Sequence, residues 1–206
     1  MNIPCKLCEK RRARRHCPGA GGEICAQCCG SERENTIDCP ASCEYLREAR
    51  FHEQPPAIPD DQVPNKDIRL SENFLREMEP LVFTLALALK RAMETGSAVD
   101  FDAREALDAE IRTYRTLQSG LIYETRPPNP YAAVIQEKLR DAVEELRKEL
   151  AERQGMHTLR DADVLGVLVF LQRLEMQYNN GRRRGRAFHD FLTGYLPDAP
   201  VPAVLA

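Results

Sequence analysis

All eight cysteines of this chain lie in one stretch, residues 5–43, which reads CKLCEKRRARRHCPGAGGEICAQCCGSERENTIDCPASC. Two thiolates separated by two or three residues can face one ion from a single tight turn, and tetrahedral zinc needs two such pairs. The eight sulfurs would fill two zinc sites with none left over. We therefore predict two structural zinc ions, with the ligands Cys5, Cys8, Cys17, Cys25, Cys28, Cys29, Cys39 and Cys43.

A disulfide scaffold is an alternative, and the start of the chain argues against it. Met1 to Pro4 lead straight into the first cysteine and leave no room for the basic and apolar regions of a secretory signal. We therefore expect a reducing, cytoplasmic location, where clustered cysteines are more often metal ligands than disulfides. Iron–sulfur ligation is a second alternative, but the spacing does not follow the bacterial ferredoxin run. His16 and His52 lie close enough in sequence to replace one cysteine as a ligand.

The overall composition is that of a soluble globular protein. The chain has 206 residues, of which 43% are hydrophobic and 30% are charged. Its net charge of -3 gives no overall attraction to nucleic acid, so any basic surface must be local. The longest apolar stretches, 81–89 and 164–171, are far shorter than the roughly 20 residues that a membrane span requires. We expect them to be buried helix segments, and we expect no membrane partner.

The cysteine-rich segment is the first of several regions. Residues 1–52 contain too few large apolar side chains for an ordinary core, so metal must supply the folding free energy there. Residues 53–66 contain four prolines and are predicted to form a semi-rigid linker without regular secondary structure. Residues 67–196 have helical periodicity, and residues 197–206 form a Pro-containing tail.

The helical region predicts a bundle of four or five helices, so the fold class is mainly α: a small N-terminal two-zinc finger followed by this bundle. Asp102 and Glu105 resemble a capping box, and Asn129 followed by Pro130 is the clearest helix start. The stretch 164–171 is apolar nearly all round, which indicates the central helix. The predicted helices span about residues 71–95, with a kink or split at Pro80, then 102–120, 129–155, 161–178 and 186–195.

The order of the cysteines resembles that of the compact two-zinc fingers of the HIT, MYND and B-box type, which have treble-clef or cross-brace folds. The HIT pattern is the most similar: a C-x2-C pair, about eight residues, a Cys-Pro at 17–18, and an aliphatic residue before Cys25. The resemblance covers only about the first 45 residues. The sequence departs from the pattern at Ala20, where the second member of a pair is expected.

This resemblance implies both a ligand assignment and a binding role. Such fingers are mostly docking modules for other proteins and sometimes parts of nucleic-acid machinery. The helical region is broadly similar to that of uncharacterised bacterial proteins with a similar cysteine-rich head, which implies no activity. In the finger families the ligand pairs alternate between the two ions. The implied sets are Cys5, Cys8 and Cys25 with one of Cys28 and Cys29, and Cys17, Cys39 and Cys43 with the other.

Two arginine-rich clusters, residues 10–15 and 182–186, are candidate binding surfaces. Both could contact the phosphates of a nucleic acid or an acidic protein. Alternatively, the first cluster offsets the negative charge of the thiolate centres and donates to their sulfurs. The second could instead be a solvated turn at a helix C-terminus, where the helix dipole favours cations. The candidate residues of the first cluster are Arg11, Arg12, Arg14 and Arg15.

No group of residues indicates catalysis. A catalytic zinc keeps one coordination position open, whereas eight sulfurs close two sites. His189-Asp190 invites comparison with metal-dependent phosphohydrolases, but the companions that they require are missing. We therefore expect a non-enzymatic adaptor or regulatory protein that mediates protein–protein interaction through the finger and the helical domain. The alternatives are a nucleic-acid-binding regulator that uses both basic clusters, and a redox sensor that releases zinc on oxidation.

Overall fold

The structure is a computed structural model that describes residues 3–53, 57–154 and 159–196. It is mainly α, as the sequence predicts, and its buried side chains form one cluster in the cysteine-rich region and another in the helical region. The elements are β1 Arg15–Cys17, β2 Gly22–Ile24, α1 Ala26–Glu32, α2 Glu44–His52, α3 Glu72–Glu77, α4 Glu79–Gly96, α5 Asp100–Gln118, α6 Pro130–Gln154, α7 Asp161–Tyr178 and α8 Ala187–Tyr195.

The finger consists of a hairpin followed by two helices. Strands β1 and β2 are antiparallel, and Gly21 in the turn between them takes a φ of +62°, which glycine adopts without steric penalty. Helix α1 follows β2, and α2 begins after Cys43. Among the described residues of the finger, the buried hydrophobic side chains other than cysteine are Ile24, Ile37 and Leu46. So small an apolar cluster offsets little of the entropy of ordering the finger, and we therefore expect its stability to depend on metal.

The predicted first helix of the bundle is divided into α3 and α4, which meet at Met78. Pro80 lies in the first turn of α4, where its ring is tolerated and its missing N–H costs no hydrogen bond. The predicted end at about residue 95 is nearly correct, because α4 ends at Gly96. The left-handed conformation falls on the next residue, Ser97, with a φ of 54°.

The start of α5 differs from the prediction. Val99 is the N-cap, and Asp102 lies at the third helical position instead of capping the helix. The Asp102 carboxylate accepts the Val99 amide at 2.8 Å and so closes the first turn from inside. The predicted pairing of Asp102 with Glu105 as a capping box is therefore wrong, because the helix begins two residues earlier, at Asp100.

Helix α7 is the central helix, as its apolar sequence predicts. It packs against α4, α5 and α8, and its residues 164–169 and 171 are all buried. Gly166 allows close packing of α3, because a Cβ at this position would lie 2.5 Å from the Phe74 ring. Among the described residues, no helix is both long and apolar enough to cross a membrane.

Helix α6 begins at Pro130 as predicted, and Asn129 Oδ1 accepts the Tyr131 amide at 3.0 Å. Its predicted end at Gly155 lies outside the described residues, as do residues 54–56 of the linker and the tail 197–206.

The second half of the linker lies against the bundle. A 3-10 turn, Asp60–Gln62, occurs where the sequence predicts no regular structure. Asn65 Oδ1 accepts Arg115 at 2.6 Å, and Asn65 Nδ2 donates to Gln172 at 2.7 Å. Arg173 donates to the Asn65 carbonyl oxygen, also at 2.7 Å. These hydrogen bonds fix the end of the linker to α5 and α7.

Candidate metal centre

Four of the predicted ligands come together in one group. Cys5 and Cys8 lie in a turn near the N-terminus, Cys25 is the N-cap of α1, and Cys28 lies in the first turn of that helix. The amide of Lys6, between the first two cysteines, donates to a carbonyl oxygen of β2 at 2.9 Å. The hairpin thus holds the turn beside the start of α1. We call this set of four cysteines the first quartet.

The spacing of the first quartet fits one tetrahedral metal ion. Its four Sγ atoms all lie within 4.8 Å of one another. Sulfur ligands at about 2.3 Å from a zinc ion are about 3.8 Å from each other in a tetrahedron, and Cys8 Sγ and Cys25 Sγ are 4.0 Å apart. Cys5, Cys25 and Cys28 are buried and Cys8 is half-buried. Four thiolates in this arrangement can hold a metal ion in a closed site.

The thiols of the first quartet differ in pKa. Burial raises the pKa of Cys5, but hydrogen bonds from the backbone of Cys8, Cys25 and Leu7 outweigh burial and lower that pKa to about 6. The Cys25 amide lies 3.1 Å from Cys5 Sγ. Hydrogen bonding with the Cys25 thiol, together with burial, raises the pKa of Cys28 to about 12. Binding of a metal ion to the four sulfurs therefore releases the protons that remain on them.

The other four predicted ligands surround one small cavity of about 10 Å³. They come from different elements: Cys17 from β1, Cys29 from α1, Cys39 from the loop that follows α1, and Cys43 from the N-cap of α2. Their sulfurs do not have the spacing of the first quartet. Within the described parts of the chain, the first quartet is the one group of three or more potential ligands whose ligand atoms all lie within 4.8 Å of one another. We call these four cysteines the second quartet.

The adjacent cysteines of α1 separate between these two sets. Cys28 belongs to the first quartet, and Cys29 lines the second cavity. Successive side chains on a helix point about 100° apart, so neighbouring residues can face different sites. The first quartet is the set that the family resemblance implies, with Cys28 as the member from the doublet.

Two arginines of the first cluster donate to cysteine sulfurs, and the other two are exposed to solvent. Arg15 donates to Cys29 Sγ at 3.3 Å, and Arg11 donates to Cys8 Sγ at 3.9 Å. Arg12 and Arg14 are exposed. Like Lys10, they make no side-chain hydrogen bond or ion pair with any described residue.

The second arginine cluster lies against the finger. Arg182 donates to the Arg33 carbonyl oxygen at 2.6 Å, and Arg186 donates to the Asp38 carboxylate at 2.7 Å. Arg184 Nη1 lies 3.7 Å from the same carboxylate. Three of the four arginines in residues 182–186 therefore have partners in the finger. This differs from both sequence-based interpretations of the cluster, a free phosphate-binding surface and a solvated turn.

Glu34 lies at the centre of this contact, and sequence reasoning misses it. Its side chain is 1% exposed and accepts hydrogen bonds from Arg50, from Asn180 Nδ2 at 3.0 Å and from the Arg186 amide at 3.1 Å. Its carbonyl oxygen accepts the Arg184 amide at 2.6 Å. A buried carboxylate requires partners of this kind. Nothing in the polar run SERENT, residues 31–36, distinguishes Glu34 from its more exposed neighbours.

The histidines lie outside the first quartet. His16 lines the second cavity, but its ring is largely exposed and Nδ1 lies 3.0 Å from Glu23. His52 is exposed at the end of α2. His189 Nδ1 is 3.8 Å from Asp190, and its Nε2 has no hydrogen-bond partner among the described residues.

Comparison with known proteins leaves the first quartet as the main indication of function. No family model matches this sequence, no curated protein matches it, and no solved structure matches its fold. The geometry of the four cysteines is compatible with a zinc finger and assigns the chain a potential metal-binding site.

Proposed function

We propose that this protein is a non-enzymatic two-zinc adaptor whose finger binds an acidic segment of a partner protein. The observation that carries the proposal is that residues 3–14, which include Cys5 and Cys8 of the first quartet, carry exposed apolar side chains and cations without side-chain partners among the described residues. Zinc is the proposed metal because a closed set of four thiolates is its usual structural site. Clustered reduced cysteines also suit the reducing cytoplasm.

A second zinc ion in the second quartet is part of this proposal. The four cysteines line one cavity, and their thiols are the ligand type that structural zinc uses. Arg15 and Arg33 donate to Cys29 Sγ at 3.3 and 3.9 Å. Donors of this kind offset the negative charge of a metal–thiolate centre and orient its ligands.

The proposed binding surface combines exposed side chains of residues 3–7 with those of residues 10–14. The Ala13 amide donates to the Ile3 carbonyl oxygen at 2.9 Å, so Ile3 lies beside the segment that carries Arg12 and Arg14. Ile3 is 53% exposed and Leu7 is 43% exposed. We call the surface that consists of Ile3, Leu7, Lys10, Arg12 and Arg14 the basic face.

The chemistry of the basic face favours an acidic peptide with apolar residues. Carboxylates would pair with the guanidinium groups, and aliphatic side chains would cover Ile3 and Leu7. Nucleic acid is the second candidate, because Arg12 and Arg14 could also contact phosphates. Its case is weaker, because three of the four arginines of the second cluster bind the finger and the net charge is -3.

Selection from a library of random displayed peptides by the zinc-loaded protein tests this proposal. We expect the selected peptides to combine Asp or Glu with aliphatic residues. Replacing Arg12→Gln and Arg14→Gln together removes two charge-assisted contacts and should weaken binding by about tenfold or more. Arg112→Gln is the matched control, because Arg112 is an exposed arginine of α5 with no side-chain partner among the described residues.

Two results would contradict the acidic-peptide proposal. One is selection of peptides without enrichment of Asp and Glu, and the other is binding that the double substitution leaves unchanged. Binding to random RNA or duplex DNA that weakens steeply with salt, and that is lost in the same variant, would establish the nucleic-acid candidate instead.

A further inference from the structure

The contact between the finger and residues 179–186 uses residues that also touch the second quartet. Burial raises the pKa of the Cys39 thiol, and the nearby Glu34 backbone acts in the opposite direction. The side chain of the same glutamate binds Asn180 at 3.0 Å and the Arg186 amide at 3.1 Å. Glu34 therefore lies between a thiol of the second quartet and the helical region.

Two neighbours of Glu34 make the same kind of connection. Arg33 donates to Cys29 Sγ at 3.9 Å, while its carbonyl oxygen accepts Arg182 at 2.6 Å. Asp38 immediately precedes Cys39 and binds Arg186 at 2.7 Å. The segment 33–38 thus has one side on the second quartet and the other on the arginines of the helical region.

We propose that residues 179–186 form a docking site for the finger segment 33–38, and that metal in the second quartet holds this segment in the docking conformation. Loss of that metal then releases the segment and exposes the arginines of the docking site. The inference rests on the proposed occupancy of the second quartet. It does not depend on the partner of the basic face.

The finger side of the contact needs an external constraint. Glu34 takes a φ of 52°, which is uncommon for a residue with a side chain, and Ile37 is the one buried hydrophobic residue of the segment 33–38. Arg50, which binds both Glu34 and Asp190, lies on the helix that begins after Cys43. The segment 33–38 and the helix that carries Arg50 are therefore both adjacent in sequence to cysteines of the second quartet, Cys39 and Cys43.

The helical side of the contact has supports of its own. Asn179 Oδ1 accepts the Gly181 amide at 2.7 Å, and Asn180 Oδ1 accepts the Arg182 amide at 3.1 Å. The Asp100 amide donates to the Gly185 carbonyl oxygen at 2.8 Å. These hydrogen bonds do not involve the finger, so the docking site can keep its shape when the finger segment leaves.

Hydrogen exchange of the full-length protein, followed by NMR, tests the proposal at two amides. The Arg184 and Arg186 amides donate to Glu34 and should be protected in the zinc-loaded protein. Chelation of zinc, or the substitution Cys39→Ser, should raise their exchange rates at least about tenfold, while the amides of α5 and α7 keep theirs.

A substitution that weakens the contact but leaves both predicted zinc sites intact distinguishes docking from metal binding. Glu34→Gln removes the charge that binds Arg50 and should accelerate exchange at the same two amides. Glu32→Gln is the matched control, because the hydrogen bonds of the Glu32 side chain to described residues are with Ser31 and Thr36, both within the finger.

Metal content and acidic-peptide binding are measured on the same samples. A failure of the adaptor proposal would then appear as absent peptide binding, whereas a failure of the docking inference would appear in the exchange rates. Unchanged protection of Arg184 and Arg186 after verified loss of zinc would overturn the inference. So would unchanged exchange in Glu34→Gln.

Discussion

Residues 10–15 and 182–186 each contain four arginines, yet their guanidinium groups meet different surroundings. In the first cluster the backbone is strand-like and side chains alternate, so Arg12 and Arg14 face solvent while Arg15 faces Cys29. In the second cluster, Arg182 and Arg186 bind oxygen atoms of the finger. A run of arginines therefore does not by itself indicate a surface for an external partner, because oxygen atoms elsewhere in the same chain can bind the guanidinium groups.

Removing Arg186 should have the largest effect on stability within the two clusters. Its guanidinium binds Asp38 in the finger at 2.7 Å and the carbonyl oxygens of Ala98 and Ser97 in the helical region at 3.1 Å. We expect Arg186→Ala to lower the free energy of unfolding of the zinc-loaded protein by about 2 to 3 kcal/mol. Denaturant titration at a fixed zinc concentration measures this.

The control for that substitution lies in the same loop. Arg183 is exposed and has no side-chain partner among the described residues, so Arg183→Ala should change the unfolding free energy by less than about 0.5 kcal/mol. Equal effects of the two substitutions would show that the second cluster acts only through its overall charge.

Within the first cluster, Arg15 and Arg12 should differ in their effect on metal affinity. Arg15 donates to Cys29 Sγ at 3.3 Å and also lies over the Tyr45 ring, with its guanidinium 4.5 Å from the ring centre. We expect Arg15→Gln to weaken zinc binding by about 10-fold to 100-fold, as loss of an outer hydrogen bond to a metal ligand typically does. Competition with a chromophoric chelator measures the affinity. Arg12→Gln should leave it unchanged, and an equal loss in both variants would contradict the division of this cluster.

Asp100 binds the loop of the second cluster, because its amide donates to the Gly185 carbonyl oxygen. Ionisation of its carboxylate should make the free energy of unfolding depend on pH. Its carboxylate is fully buried and accepts the Phe188 and His189 amides at 3.0 and 3.2 Å. Burial is the largest influence and raises its pKa to about 7 in spite of these hydrogen bonds. Between about pH 4 and pH 7 the unfolded chain ionises Asp100 while the folded chain keeps the proton. The stability contributed by this group therefore falls as the pH rises through that window.

Replacing Asp100→Asn should remove this pH dependence. The unfolding free energy of the wild type, minus that of the variant, should decrease on the order of 1 kcal/mol per pH unit between about pH 5.5 and pH 7. Taking the difference between the two proteins cancels the pH dependence of zinc binding that they share. A difference that stays constant with pH would mean that the two amides keep Asp100 ionised in the folded protein.

Local patterns were sufficient to predict most of the helices. Asn129 and Pro130 act through adjacent backbone groups, and the all-round apolar sequence of α7 requires burial wherever the helix lies. The cysteine spacing likewise predicted ligand pairs, because two ligands from one turn are a local property. The grouping of Cys5, Cys8 and Cys25 came from the family resemblance, and the structure selects Cys28 as the fourth member.

The contacts that sequence reasoning missed depend on distant parts of the chain. Glu34 is 146 residues from Asn180, and Asp100 caps a helix that begins at Ala187. Neither carboxylate differs in local sequence from exposed acidic residues nearby. The same reason explains the second arginine cluster, whose partners become visible only when the finger lies against it.

Native mass spectrometry of the full-length protein tests the central claim, two zinc ions in two cysteine quartets. We expect two zinc ions per wild-type chain and one in Cys43→Ser, which loses a ligand of the second quartet while the first remains complete. A single zinc ion in the wild type, or two retained in Cys43→Ser, would contradict it.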